Sequence, residues 1–101
     1  MEELKKLALQ AADDIAKTGA TRIVLDDIAI DIRRHKLIKN KLMIVVTDLD
    51  GDIIFEYYTS LVNLEYDLLD LRRLALDYNI DREGTAFLGY FIEAWYYEEI
   101  K

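Results

Sequence analysis

The sequence contains no cysteine and no proline, and it has only four glycines. Without cysteine the chain cannot form a disulfide, a thiolate nucleophile, an iron–sulfur cluster or a cysteine-based zinc site. Because proline and glycine interrupt regular structure, their scarcity predicts well-defined helices and strands joined by short loops. Residues 1–17 carry acids on both sides of their lysines and no long apolar run, which predicts neither a signal peptide nor a membrane span. We therefore expect a cytoplasmic protein that does not enter a membrane.

Charge and hydrophobicity place the chain among folded, acidic proteins. Hydrophobic residues make up 52% of the 101 residues, charged residues 33%, and the formal net charge is −7. This balance predicts one folded domain over residues 1–101. The negative charge argues against nucleic-acid binding over the whole surface, because phosphate contacts need lysine or arginine. Positive charges cluster at residues 33–41, which predicts one basic patch on an acidic body.

Residues 42–58 have the clearest pattern, two β-rich runs joined by Asp50-Gly51. This dipeptide is a strong hairpin signal, and a two-residue turn would pair Val46 with Phe55. One face would then carry Leu42, Ile44, Val46, Ile53, Phe55 and Tyr57, and the other Met43, Val45, Thr47, Leu49, Ile54, Glu56 and Tyr58. A three-residue loop with Gly51 in the left-handed conformation would shift this pairing by one residue. Because both faces are mostly apolar, we expect cover on both, from helices on one and from a helix or a second copy of the chain on the other.

Helical periodicity flanks this hairpin. Apolar residues recur every three or four positions over residues 2–17 and 64–78, and again over the aromatic segment 85–100. Gly19 and Asn79 are the expected stops of the first two helices. The candidate N-cap residues are Thr59, Ser60 and Asn63 for the second helix and Asp81 or Thr85 for the third.

Residues 22–34 fit two templates. Apolar residues alternate through the second half as in a strand, yet the same residues also match a helical pattern. The high content of isoleucine and valine favours a strand with a bend or bulge at Asp26-Asp27. The predicted fold is therefore α+β. It has an N-terminal helix, a small antiparallel sheet of three strands centred on the 42–58 hairpin, and two C-terminal helices packed on the sheet.

The hairpin tip carries the string VVTDLDGD, with acids at Asp48, Asp50 and Asp52. This string resembles motif I of the haloacid-dehalogenase phosphohydrolases. The resemblance would make Asp48 the nucleophile, Asp50 the acid/base and Mg²⁺ the cofactor, but Asp52 stands where the family has threonine. We expect the rest of the chain to be too short for that family's Rossmann-like core. The three carboxylates could at most hold a divalent cation weakly, and we predict a charged turn with no metal and no cofactor.

No other motif indicates catalysis. Ser60, the only serine, is better explained as a helix cap than as a nucleophile. His35, the only histidine, lies among cations and has no partner in a recognisable catalytic motif. We therefore predict a protein that is not an enzyme and has no small-molecule substrate.

The C-terminal segment indicates an interaction surface. Six of the eleven aromatic residues fall within positions 87–97, and a helix that is apolar nearly all round must be buried on more than one side. Tyrosine and tryptophan are enriched at protein interfaces. The residues predicted to bind a partner are Tyr90, Trp95, Tyr96 and Tyr97. The favoured function is a non-catalytic protein-interaction or regulatory module that forms a homodimer.

Two other functions follow from charge. The basic segment predicts, as the alternative, a nucleic-acid-binding dimer that contacts phosphates. Its residues would be Arg33, Arg34, Lys36, Lys39 and Lys41. The acidic surface predicts an inhibitor or a nucleic-acid mimic that presents carboxylates to a basic partner. Those carboxylates would be Glu65, Asp67, Asp70 and Asp77.

Overall fold

The fold is described by a computed structural model that covers residues 2–100, with side chains described for residues 2–98. Its elements are α1 (Glu2–Thr18), β1 (Ala20–Leu25), β2 (Ile28–Arg34), β3 (Leu42–Asp48), β4 (Ile53–Tyr58), α2 (Leu64–Asp77), α3 (Arg82–Trp95) and a π-helical turn, Tyr96–Ile100, that continues α3. This order confirms the predicted α+β class, with one helix before the sheet and two after it. Met1 and Lys101, the ends of the expected 1–101 domain, lie outside the described residues.

The four strands form one antiparallel sheet in chain order, β1-β2-β3-β4. Residues 22–34, predicted to be one bent strand, instead lie in a hairpin. Asp26 and Asp27 form its turn, and Leu25 pairs with Ile28 across it. The sheet therefore has four strands and not three, with β2 and β3 at its centre.

The helices cover one face of this sheet. Strand residues on that face share a buried core with apolar residues of all three helices. The fully buried strand residues include Ile30, Ile32, Leu42, Ile44 and Val46. The opposite face has no helix packed on it in the described part of the chain, and side chains such as Arg22, Val24 and Arg33 are exposed there. We call this uncovered face the open face of the sheet.

The central helix of the covering layer is α3. Its residues Phe87, Phe91 and Trp95 are fully buried and belong to the same core as the strand residues. On one side α1 packs closely against α3, because the buried side of α1 carries small residues such as Ala8 and Ala12. On the other side α3 contacts α2. Elements of the same chain therefore cover most of the apolar surface of α3 that seemed to require a partner.

The structure selects one cap from each set of candidates and confirms the two predicted helix stops. The side chains of Asn63 and Asp81 accept hydrogen bonds from backbone N–H groups in the first turns of α2 and α3, at 3.0 and 2.8 Å. Gly19 and Asn79 end α1 and α2 with φ values of 82° and 55°. These local signals fix where each helix joins the sheet or its neighbour.

The central hairpin turns through a three-residue loop. The N–H of Gly51 donates to the backbone oxygen of Asp48 at 3.1 Å, and the N–H of Asp48 donates to the backbone oxygen of Asp52 at 2.9 Å. Gly51 has a φ of 92°. The turn is therefore the three-residue form, and the predicted two-residue form is wrong.

A bulge in β4 compensates for the longer loop. Val46 pairs with Phe55 as predicted, but Thr47 pairs with Ile53, so Ile54 is an extra residue on β4. Ile53 is exposed while Ile54 packs against the core. The prediction had placed these two isoleucines on the opposite faces, because it assumed strict alternation without a bulge.

Two glycine substitutions should have opposite effects on stability. Gly51→Ala should destabilise the protein by about 1 kcal/mol, because a left-handed φ is unfavourable for a residue with a Cβ. No heavy atom lies within 4 Å of the new Cβ, so conformation alone is responsible. Gly89→Ala in α3 should stabilise by up to about 1 kcal/mol, since its Cβ would make only a 4.0 Å contact with Leu68. Urea unfolding of both variants measures the difference, and a stabilising Gly51→Ala would contradict the assigned turn.

Candidate interaction surface

The open face is divided by charge along the strand direction. Its residues are Ala20, Arg22 and Val24 of β1, Ala29, Asp31 and Arg33 of β2, Met43, Val45 and Thr47 of β3, and Ile53, Glu56 and Tyr58 of β4. The basic segment 33–41 lies at one end of the strands, and the turns at residues 26–27 and 49–52 lie at the other. We call these the basic end and the acidic end of the open face.

Cross-strand register builds the basic end. Arg33 pairs with Met43, and Met43 pairs with Tyr58, so these side chains lie in one row across β2, β3 and β4. Neighbours in such a row are about 5 Å apart at Cβ. The row and the following loop form a pocket of about 440 Å³, which we call the basic pocket. The basic pocket is lined by Arg33, Arg34, His35, Lys36, Leu37, Met43 and Tyr58.

His35 shapes the loop beside the basic pocket. Its Nδ1 accepts hydrogen bonds from the N–H groups of Leu37 and Ile38, both at 3.1 Å. The backbone N–H of His35 donates to the backbone oxygen of Lys41 at 2.7 Å. The imidazole also meets the ring of Tyr58 edge-on, with centroids 6.1 Å apart. These contacts hold Leu37, whose side chain is 90% exposed, at the rim of the pocket.

The basic pocket combines an apolar floor with cationic walls. Of the five predicted basic residues, Arg33, Arg34 and Lys36 line the pocket. Lys41 places its Nζ 5.9 Å from the centre of the Tyr58 ring, and Lys39 is exposed on the same loop. The structure thus brings the predicted cations together around an aromatic ring and a methionine, which the sequence pattern had not connected.

Charged side chains flank Val45 in the middle of the open face. Arg22 and Asp31 form an ion pair at 2.7 Å across β1 and β2, and Glu56 is exposed on β4. Exposed Val24 and Ile53 lie beyond them, toward the acidic end. Asp31 pairs with Val45, and Val45 pairs with Glu56, so this row sets charged side chains on both sides of one apolar residue.

The four aromatic residues predicted to bind a partner do not share one surface. Trp95 is fully buried, so it belongs to the core, and its predicted surface role is wrong. Tyr96 is half-buried and directs its hydroxyl toward the start of α2. Tyr90 and Tyr97 line a shallow groove between α1 and α3, where the Nζ of Lys5 lies 5.5 Å from the Tyr90 ring centre.

A buried carboxylate, Asp67 of α2, connects three parts of the fold. Its Oδ1 accepts hydrogen bonds from the Tyr57 hydroxyl and from the N–H of Ser60, the latter at 2.7 Å. Its Oδ2 accepts from the Tyr96 hydroxyl at 2.6 Å. Because Asp67 is fully buried, its predicted display to a basic partner is wrong. Of the other carboxylates in that prediction, Glu65 and Asp77 are exposed and Asp70 is half-buried.

The environment of Asp67 raises the pKa values of two tyrosines. For both Tyr57 and Tyr96 burial is the larger cause, and the hydrogen bond to Asp67 is the next. The Tyr57 hydroxyl also lies 3.2 Å from Oδ2 of Asp70, which acts in the same direction. Each pKa is raised above the ordinary tyrosine value, so both hydroxyls remain protonated donors at neutral pH.

The aspartates of the hairpin tip hold a turn. Oδ1 of Asp48 accepts from the N–H groups of Asp50 and Asp52 at 2.9 and 3.0 Å, the usual role of an aspartate that begins a turn. Across the described residues, no group of three or more His, Asp or Glu side chains is placed to hold a metal ion. The adjoining sheet is antiparallel, unlike the parallel core that the phosphohydrolase resemblance would require.

Comparisons with models of known protein families, with characterised proteins and with solved structures found no match. In the part of the chain that the structure describes, no helix is long and apolar enough to cross a bilayer. We therefore infer function from the surface alone.

Proposed function

We propose that this protein is a non-catalytic interaction module that binds a protein partner at the basic end of its open face. One observation carries the proposal: Met43 and Tyr58 form an apolar floor beside Arg33 and Lys36 on a sheet face that no helix covers. Apolar anchors ringed by arginine and aromatic residues are typical of protein-binding surfaces. A regulatory role is the function class that such a module fits best.

The partner of the basic pocket is an acidic segment that also carries a bulky apolar side chain. The apolar side chain would contact the floor, and its carboxylates would meet Arg33 and Lys36 at the rim. Since the chain as a whole has a formal charge of −7, the rest of its surface repels an acidic partner. Repulsion elsewhere and attraction at one end would orient the partner during association.

The non-catalytic part of the proposal rests on how the candidate catalytic side chains are used. Oγ of Ser60 accepts a hydrogen bond from the N–H of Val62 at 3.3 Å, and Nδ1 of His35 accepts two from its own loop. Asp48 is likewise engaged by its turn. Each of these side chains therefore bonds to nearby backbone N–H groups and not to a second side chain with which it could form a catalytic pair.

Selection from a library of random short peptides displayed on phage tests the proposal. The full chain should enrich peptides that carry Asp or Glu next to Leu, Phe or Trp. These peptides should not be retained by the Arg33→Glu variant, whose charge is reversed in the basic pocket. Lys6→Glu, a charge reversal at an exposed site on α1, should retain them and serves as the matched control. Enrichment of basic peptides, or equal retention by both variants, would count against the basic pocket.

Single-stranded nucleic acid is the second candidate ligand of the same pocket. The observation that favours it is the pair of rings, Tyr58 and His35, set among cations, because bases stack on such rings while cations contact phosphates. The carboxylates of Asp31 and Glu56 in the middle of the open face would repel the phosphates of a longer nucleic acid that extends beyond the pocket. A labelled single-stranded oligonucleotide, measured at about 50 and 200 mM salt, separates the two candidates. Salt-sensitive binding that Arg33→Glu abolishes would favour nucleic acid over a protein partner.

A further inference from the structure

We infer that two copies of this chain pair through the outer side of α2, with the two helices antiparallel and centred on Leu69. The outer side of α2 faces away from the sheet, so this surface is separate from the open face. Core packing uses the other side of the helix, where Leu71 and Ala75 are buried. The inference goes beyond the basic pocket and does not depend on it.

The outer side of α2 carries large apolar side chains where a solvent-facing helix would carry polar ones. Tyr66, Leu69 and Leu76 are 53%, 57% and 78% exposed, and Val62, just before the helix, is 66% exposed. Together with Arg73, the three helical residues follow each other at spacings of three, four and three. This spacing makes a straight stripe of the kind that packs against a second helix.

A depression beside the stripe can receive a side chain from another helix. It has a volume of about 280 Å³ and is bounded by Glu65, Leu68, Leu69 and Arg72. Packed helix pairs insert a side chain of one helix into a hollow formed by four residues of the other. Leu69 of a second copy has the size and chemistry for this hollow.

The charges on α2 select the antiparallel orientation. Glu65 lies in its first turn, and Arg72 and Arg73 lie in its second half. Among the described residues, no carboxylate lies within ion-pair distance of either arginine. A parallel pair would set arginine against arginine and glutamate against glutamate, which is unfavourable.

Centring the antiparallel pair on Leu69 makes the surface complementary to itself. Glu65 of one copy then faces Arg73 of the other, and Val62 faces Leu76. Tyr66 faces Arg72, so that a guanidinium can lie over an aromatic ring. Moving the centre by two residues toward the C-terminus would instead set Glu65 against Asp77 and Leu69 against Arg73. Charge and apolarity therefore both favour the register centred on Leu69 over the shifted one.

The size of the surface sets the expected strength of the pair. With 14 residues, α2 is about 21 Å long at 1.5 Å per residue. A contact along one helix of this length buries less than the roughly 800 Å² per partner of a standard interface. We therefore expect a dissociation constant of about 1 to 100 µM, corresponding to a reversible dimer.

Sedimentation velocity of the full chain from about 5 to 500 µM tests this pairing. The wild type should pass from monomer to dimer across that range. Leu69→Glu should weaken dimerisation by about 30-fold or more, because it sets two carboxylates at the centre of the contact. Leu37→Glu, at the exposed rim of the basic pocket, is the matched control and should dimerise as the wild type does. Circular dichroism of each variant verifies that it remains folded.

A charge exchange tests the register itself. Glu65→Arg and Arg73→Glu should each weaken the dimer by about 10-fold, and the double variant should restore it, because opposite charges then face each other again. A purely structural role of either residue would give no restoration. A strict monomer at the highest concentration, a dimer unaffected by Leu69→Glu, or a double variant no better than the singles would each overturn the inference. Binding of the selected acidic peptides should be unchanged by Leu69→Glu. Failure of the dimer and failure of the basic pocket can therefore be distinguished.

Discussion

Asp67→Ala should lower the free energy of unfolding by about 3 to 5 kcal/mol, since each unpaired buried donor costs about 1 to 3 kcal/mol. The substitution removes the acceptor for two tyrosine hydroxyls and one backbone N–H at a fully buried position. Ser60 N–H would lose the bond that anchors the connection between β4 and α2. Within that connection Leu61 has a φ of 64°, a strained value for a residue with a side chain. The Asp67 bond therefore stabilises a segment that would relax without it.

Urea unfolding followed by circular dichroism measures this effect, and graded variants keep it measurable if Asp67→Ala does not fold. Asp67→Asn preserves the shape of the side chain and loses one acceptor, so its cost should be smaller, about 1 to 2 kcal/mol. Tyr96→Phe removes a single donor and should cost a similar amount. Asp77→Ala, at the exposed end of the same helix, should change stability by less than about 0.5 kcal/mol. Equal effects at Asp67 and Asp77 would contradict the buried hydrogen-bond network.

Arg33→Glu should weaken the binding of a selected acidic peptide by about 30 to 100-fold, as expected for a charge reversal at the centre of an interface. Arg33 lies in one row with Met43 and Tyr58, so its charge acts at the edge of the apolar floor. Its exposed side chain makes the substitution compatible with the fold. Fluorescence anisotropy with a labelled peptide measures the change.

Two further variants separate the charge of the basic pocket from its floor. Tyr58→Ala should weaken binding of the same peptide by about 10-fold or more, because aromatic contact area is lost. Tyr58→Phe should bind as the wild type does. Affinity should also fall as salt rises for the wild type, and less steeply for Arg33→Glu. A peptide that binds Arg33→Glu as tightly as Lys6→Glu would show that the basic pocket is not the contact.

Short-range signals predicted the helices and the central hairpin well. Asn63 and Asp81 cap helices because their side chains bond backbone groups only three residues away. Gly19 and Asn79 stop helices through their own backbone conformation. Such signals need no knowledge of the rest of the fold, which is why sequence alone was sufficient for them.

Strand details depended on contacts that the local pattern does not contain. Asp50-Gly51 is compatible with loops of two or three residues, and the loop that forms has three. Positions 53 and 54 are both isoleucine, so hydrophobicity could not decide which of the two side chains faces the core. The bulge in β4 decides it. The Asp26-Asp27 turn was missed for a similar reason, because a bend within one strand and a turn between two strands share the same residues.

The expected partner was inferred from the apolar surface of the aromatic helix α3. We predicted more apolar surface on α3 than its own chain could bury, yet α1, α2 and the sheet surround it. Exposed apolar residues lie elsewhere, among them Tyr58 on the open face and Leu69 and Leu76 on α2. The number of apolar residues can be read from the sequence. Which of them are exposed depends on how the helices pack, and that packing is a non-local property.

The burial of Asp67 could have been predicted from helical spacing. Asp67 is three residues after Leu64 and four before Leu71, so helical spacing places it on the apolar side of α2. A carboxylate at such a position requires hydrogen-bond donors, and tyrosines are abundant in this chain. The basic pocket carried no comparable signal, because Arg33, Met43 and Tyr58 meet only through strand register.

Chemical-shift mapping of the ¹⁵N-labelled full chain with a selected acidic peptide shows whether the peptide binds at the basic end of the open face. We expect the amide signals of Arg33, Met43 and Tyr58 to shift together with rising peptide concentration, while the signals of the outer side of α2 do not shift. Shifts confined to α2 or to the groove of Tyr90 and Tyr97, with the open face unaffected, would contradict binding at the basic end of the sheet.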